Sequence, residues 1–295
     1  NLLDPVRKHL QMTYYYMEPD GELVTTDSRR QDQFMRISIL SYYRQYRYMA
    51  ILEGDGEFAS ITRNMEKLEG FGRAVLDHDL VYFMEEPLLQ RKLPDNSPVP
   101  LQYEKLFTTS HLLRIRRGAT SLTLFGGVDW PLIIASGRSH SPDFFSYRKG
   151  EAILRHLRLS LGFFNTGYFY SNGLTRDGDG YLLHQRIRVP YYQPLPPEKR
   201  NDAGDYSLSP SVDGRFWNKM SFEDRPVSNV KEIETTIRLE ESDGRADLMF
   251  VITGLEQVRV TLELCFESGG ELSGLTGAGD GAGQFFLEEG MGRYT

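Results

Sequence analysis

Val258-Arg-Val-Thr-Leu-Glu-Leu-Cys-Phe266 decides the fold class. Val258, Val260, Leu262, Leu264 and Phe266 alternate with Arg259, Thr261, Glu263 and Cys265. Successive side chains of an extended chain point to opposite faces, so this is a strand with one face on a core. The same period returns in Ala246-Leu248-Phe250-Ile252, Ile153-Leu157-Leu159-Leu161 and Tyr181-Leu183-Ile187-Val189, and more weakly over 120–125 and 235–239. Asn172-Gly173, Asp177-Gly-Asp-Gly180, Asp213-Gly214 and Asp243-Gly244 supply turns between them. Many strands with such turns predict a large antiparallel β-sandwich. Residues 269–283 contain seven glycines and are expected to form a mobile loop.

Upstream, Leu93-Pro-Asp-Asn-Ser-Pro-Val-Pro100 holds three prolines in eight residues and marks a linker. Before it the apolar period is helical. Phe34, Ile37, Ile39, Leu40, Tyr43, Tyr46 and Met49 recur at steps of three and four, with Asp27 and Ser28 placed to cap a helix. Glu18-Pro-Asp-Gly21 ends a short helix begun near Asp4-Pro5. A further helix is expected over 57–68, closed by Gly70 and Gly72, and another over 78–89. The chain thus divides into a helical segment (1–92), a linker (93–102) and an antiparallel β-sandwich (103–295) expected to be truncated. It opens on Asn1-Leu-Leu-Asp-Pro without a Met or signal peptide, and is expected to be a fragment or a trimmed form.

Composition narrows the function. At 295 residues the chain can bury a large core unaided. Its one cysteine, Cys265, excludes a disulfide framework, a zinc cluster and a CxxC pair. No apolar run approaches the roughly 18 residues of a membrane helix, so no membrane span is expected. The net charge of −7 is uneven. Residues 240–295 carry 11 acids and 3 bases, whereas 110–200 carry 13 bases and 6 acids, a balance of +7. That middle stretch can face an anionic partner; alternatively its bases pair with acids elsewhere.

Two polar stretches carry the candidate chemistry. Ser28-Arg29-Arg30-Gln31-Asp32 sits at an expected helix start, where guanidinium and amide groups can hold carboxylate or sulfate oxygens. Ser136-Gly-Arg-Ser-His-Ser-Pro-Asp143 runs into Phe144-Phe-Ser-Tyr-Arg-Lys-Gly150, a strand on which Phe145, Tyr147 and Lys149 share one face and Ser146 and Arg148 the other. His140 or Tyr147 is the acid/base candidate for proton abstraction next to a carboxylate. Arg29, Arg30, Gln31, Arg138, Arg148 and Lys149 are the candidates for holding the anionic substrate. The competing account is a capped helix start and a plain surface loop. His156 and His184 stand far from metal-ligand spacing and are expected to be solvated or ion-paired. No metal and no cofactor is expected. The interleaved Tyr42-Tyr-Arg-Gln-Tyr-Arg-Tyr48 would cover all faces of a helix, which suits core packing with extended Arg rather than nucleic acid. In Pro190-Tyr-Tyr-Gln-Pro194 one ring is expected to pack and the other to be exposed.

The order of pieces resembles the C-terminal half of a heparinase II/III-like protein. The resemblance is carried by Asp20-Gly-Glu-Leu-Val-Thr-Thr-Asp-Ser-Arg-Arg-Gln-Asp32, the proline linker, Leu113-Arg-Ile-Arg-Arg-Gly118, Phe144-Phe-Ser-Tyr-Arg-Lys-Gly150 and Arg158-Leu-Ser-Leu-Gly-Phe-Phe164. It covers the whole chain and implies the tail of an (α/α) toroid followed by the sandwich. It also implies binding of an acidic, uronate-containing polysaccharide, cleavage by β-elimination, and a periplasmic or secreted location. The family's sandwich usually supplies a histidine-rich strand beside a metal, and here His140 stands alone. The alternative is a non-catalytic glycan-binding or structural protein of the same fold.

Overall fold

The protein is described by a computed structural model over residues 3–28, 34–127, 142–164, 166–200, 220–279, 285–287 and 291–295. The helical part contains α1 (Leu3–Tyr16), α2 (Tyr43–Glu53), α3 (Gly56–Met65), α4 (Phe71–His78) and α5 (Leu80–Glu85). Between α1 and α2 the chain makes a small antiparallel pair, β1 (Glu22–Leu23) with β2 (Ile37–Ser38).

The helix expected from Phe34 therefore starts later, at Tyr43. Ile37 is drawn into the β pair, and the Ser38 hydroxyl accepts the Leu40 amide at 3.2 Å, capping a single 3-10 turn. The Asp27 carboxylate accepts the Tyr16 hydroxyl at 2.6 Å, and the amides just after Ser28 lie outside the described residues. Asp55 caps α3 by accepting the Phe58 amide at 2.9 Å. That helix ends at Met65, and Gly72, expected as a terminator, lies inside α4. The helix expected over 78–89 shrinks to α5. Leu10, Tyr46, Met49, Phe58 and Met65 form the core of this part, and Leu112 and Phe125 from the first sheet join it.

The rest is β-rich and antiparallel. β3 (Gln102–Phe107), β4 (Leu112–Arg117), β5 (Thr120–Phe125), β6 (Phe145–Lys149), β7 (Ala152–Gly162), β8 (Gly167–Tyr168), β9 (Leu174–Asp177), β10 (Gly180–Tyr192), β11 (Val227–Ser242), β12 (Arg245–Thr253) and β13 (Arg259–Phe266) build two sheets. The large sheet has the order β13-β7-β6-β5-β4-β3, with β8 on β7; the smaller runs β12-β11-β10-β9. Leu113, Leu122, Leu124, Leu157 and Leu159 of the first sheet meet Tyr181, Leu183, Ile237 and Leu239 of the second. Asp243 and Gly244 turn the β11–β12 hairpin with φ of 49° and 81°, the left-handed pair that a two-residue hairpin demands.

The glycine-rich stretch is more ordered than expected where it is described. β14 (Leu272–Ser273) pairs with β17 (Arg293–Tyr294), and β15 (Leu275–Gly277) pairs with β16 (Phe285–Leu287). Ladder hydrogen bonds come from the backbone and tolerate small side chains. No helix among the described residues is long and apolar enough to cross a membrane.

Candidate functional site

Alternation gives the large sheet two faces with different chemistry. Leu113 and Ile115 of β4 enter the sandwich, while Leu112 joins the helical core and Arg114 faces the chain that follows α1. On β5 the outward residues are Ser121, Thr123 and Phe125; on β6 they are Ser146 and Arg148. The segment after α1 lies on this outer face and sets an acid against Arg114, Arg148 and Arg155. Glu18 lies 2.9 Å from Arg114 and also accepts the Ser121 hydroxyl. Asp20 accepts from Arg148 at 2.7 Å, and Glu22 accepts from Arg155 at 2.9 and 3.2 Å. The three acids are gathered by a tight turn: the Gly21 amide donates to the Glu18 carbonyl at 2.9 Å and the Glu18 amide to the Glu22 carbonyl at 2.7 Å, so Glu18, Asp20 and Glu22 are presented from one hairpin end. Arg114 is 0% exposed and also donates to the Tyr15 carbonyl at 3.0 Å and to the Thr123 hydroxyl. Burial works against its charge, but Glu18 and the neighbouring Tyr103 more than offset that, so its pKa stands above the ordinary value.

A β-bulge shapes the end of this seam. Phe145 pairs with Leu157 and Tyr147 with Leu154, so two residue steps on β6 match three on β7. On the other side, Cys265 of β13 pairs with His156 and Phe266 with Leu154. Arg155 is the extra residue. Leu154 and Leu157 both pack in the sandwich, and adjacent Arg155 and His156 both line a cleft on the outer face. Bulges re-aim side chains in this way. The cleft, about 100 Å³, lies between the sheet and the residues flanking β1 and β2; Phe34, Arg36, Ser146 and Arg148 also line it. Arg36 donates to both oxygens of Glu267, at 2.8 and 2.7 Å, and Arg155 donates to Glu267 as well. Burial pushes the Glu267 carboxyl up, but the hydrogen bonds from Arg155 and Arg36 prevail and bring it down to about 2.

His156 is held from behind. Its Nδ1 lies 3.0 Å from Oδ2 of Asp143, which is 1% exposed. The contact has ion-pair distance without the alignment of a straight hydrogen bond. Arg158 donates to the other Asp143 oxygen. Phe34 closes the cluster, edge-on to the His156 ring at 5.5 Å and 5.1 Å from the Arg158 guanidinium carbon. Cys265 stands across the strand pair, its thiol pushed up by burial, which disfavours the reactive thiolate.

Of the residues predicted from sequence, Arg29, Arg30, Gln31, Arg138 and His140 lie outside the described residues. Tyr147 and Arg148 occupy opposite faces of β6. Tyr147 is in the sandwich, stacked on Phe145 at 6.4 Å, and its hydroxyl donates to the Gly244 carbonyl at 2.6 Å. Burial and then the Glu241 charge push its phenol up. Arg148 reaches the seam, where Asp20 occupies it. Lys149 is exposed at the end of β6, beside an apolar groove of about 450 Å³ between the sheets. Tyr147 borders both hollows, the seam cleft with Arg148 and the apolar groove with Lys149, but its hydroxyl is held at Gly244, so the three polar ends do not converge.

His184 pairs with Glu234 at 2.8 Å, and Arg186 and Arg188 both lie 3.9 Å from Glu232. In the tyrosine pair, Tyr192 is half-buried against Phe222 and Tyr191 is exposed. On α2, Tyr43 and Tyr46 are buried, while Arg47 donates to the carbonyls of Leu89 and Arg91 at 2.8 and 2.9 Å. No group of three His, Cys, Asp or Glu that could hold a metal occurs among the described residues.

Arg155, His156 and Asp143 were not singled out together from sequence. The available signal was Arg155 itself: strict alternation with Ile153, Leu157 and Leu159 would bury its guanidinium. No family model, no curated protein and no solved structure matches the chain.

Proposed function

We propose that this is a polysaccharide-lyase-like protein that binds an acidic, uronate-containing polysaccharide along the seam between its helical part and the large sheet. In that proposal the helical part is the end of an (α/α) toroid. The observation that carries it is the gathering of Arg36, Arg148, Arg155 and His156 around one cleft. The cleft is small enough to take a carboxylate rather than a whole sugar ring, so the glycan lies across its mouth. Arg36 is the exchangeable cation: its side chain is 64% exposed, and a uronate carboxylate can replace Glu267 as its partner. In β-elimination a base takes the proton from C5. The electron pair becomes the C4–C5 double bond, the C4–O4 bond breaks, and the leaving oxygen is protonated.

Incubation with alginate, heparin and polygalacturonate, read by the ultraviolet absorbance of unsaturated product, tests cleavage. Titration with the same polymers at low and high salt tests binding. A second reading has its own support. Arg114, Arg148 and Arg155 already have protein carboxylates as partners, as expected of an ion-paired joint in a purely structural or non-catalytic glycan-binding protein. No product and no salt-sensitive binding from folded protein leaves the structural joint; salt-sensitive binding without product leaves a glycan-binding module.

A further inference from the structure

We infer that His156 and Asp143 form a proton-transfer dyad serving the seam cleft, with Nε2 of His156 as the proton acceptor. Three independent features converge on it. The bulge at Arg155 turns His156 to the outer face and into the cleft lining. Asp143 is buried behind the ring, fixed by Arg158, and reaches Nδ1 at 3.0 Å. The contact is electrostatic rather than an aligned hydrogen bond, and a carboxylate charge at that distance favours a hydrogen over a lone pair on Nδ1. The other nitrogen, Nε2, then carries the lone pair and has no hydrogen-bond partner among the described residues. A carboxylate beside one imidazole nitrogen selects the tautomer and fixes the orientation of the ring. Phe34 covers the ring edge-on, which limits water on that side.

The substrate class rests on the glycan proposal: the acceptor would take the C5 proton of a bound uronate. The resulting imidazolium would return that proton to the departing O4, so the proton count closes without a co-reactant. Tyr147 cannot share this step from its place in the sandwich, where its hydroxyl is held by Gly244.

Imidazole ¹H–¹⁵N spectra of the full ¹⁵N-labelled chain at neutral pH test the dyad without a substrate. The expected His156 signal is the Nδ1–H tautomer, moving toward Nε2–H in Asp143→Asn. An Nε2–H tautomer or an imidazolium in the wild type overturns the inference. The second arm compares unsaturated-product formation from alginate, heparin and polygalacturonate by the wild type and His156→Gln. Product should fall by about 100-fold or more with binding retained. An active His156→Gln overturns the dyad and leaves the lyase proposal standing. An inactive wild type removes the lyase proposal, and the tautomer spectrum then decides the dyad alone.

Discussion

Glu18→Gln is the sharpest perturbation of the seam. Arg114 has no exposed surface, and Glu18 is its carboxylate partner, with a side chain only 14% exposed. Removing the charge leaves an enclosed guanidinium with only neutral partners, the Tyr15 and Leu122 carbonyls and the Thr123 hydroxyl. Breaking a buried pair from one side costs about 3–5 kcal/mol. Glutamine keeps the shape and can still accept one hydrogen bond, which places the expected loss near the lower end, about 3 kcal/mol. Asp20→Asn is the internal control. Its side chain is 50% exposed but that of Arg148 only 8%, so water partly replaces the lost charge and the loss should fall between an exposed pair and Glu18→Gln, about 1–2 kcal/mol. Urea unfolding followed by circular dichroism measures both through the shift in midpoint at unchanged slope. Adding Arg114→Met to Glu18→Gln should recover part of the loss, because no stranded charge remains. The reasoning fails if Glu18→Gln costs no more than Asp20→Asn, or if Arg114→Met on top of it makes the protein weaker still.

Glu267 makes stability pH-dependent. Its folded value of about 2 lies below its ordinary 4.5, so its contribution is present above about 4.5 and is lost as pH falls toward about 2. Glu267→Gln should lower the thermal midpoint at neutral pH and flatten its decline over that interval. Tyr147→Phe should cost about 1 kcal/mol, one hydrogen bond to Gly244, and leave any glycan affinity unchanged; a loss of affinity in salt-dependent titrations would bring Tyr147 back to the seam. Gly254→Ala should destabilise by about 1–3 kcal/mol in the same urea assay. Gly254 has φ of 80°, and an added Cβ would lie 2.0 Å from the Glu232 carbonyl oxygen.

The strands were legible because period two is a property of the extended backbone: it survives in Ala246–Ile252, whose even-numbered residues are half-buried, and in Val258–Phe266, where the expected core face is not buried, since Val260, Leu262, Leu264 and Phe266 alternate on an exposed face. The division of faces on β6 was legible for the same reason. What each face meets was not. Nothing local to Arg148 or Arg114 names Asp20 or Glu18 as partners more than ninety residues away. Residues 34–42 misled because their apolar spacing suits a helix, while the competing hydrogen bonds come from Ser38 and from pairing with β1. The His156 site was hidden because it depends on an insertion that reverses parity midway along β7, which a fixed period averages away.

That inserted residue has a mechanical consequence. Upstream of Arg155 the core-facing positions of β7 are even-numbered, and downstream they are odd, while both flanking strands carry the matching offset. Sliding β7 by one step against either neighbour would unseat the inward side chains of one half and misalign the offset in the other. The strand is thus keyed like a notched rail: it docks in one position only, and the same notch that prevents slippage displays Arg155 and His156 side by side.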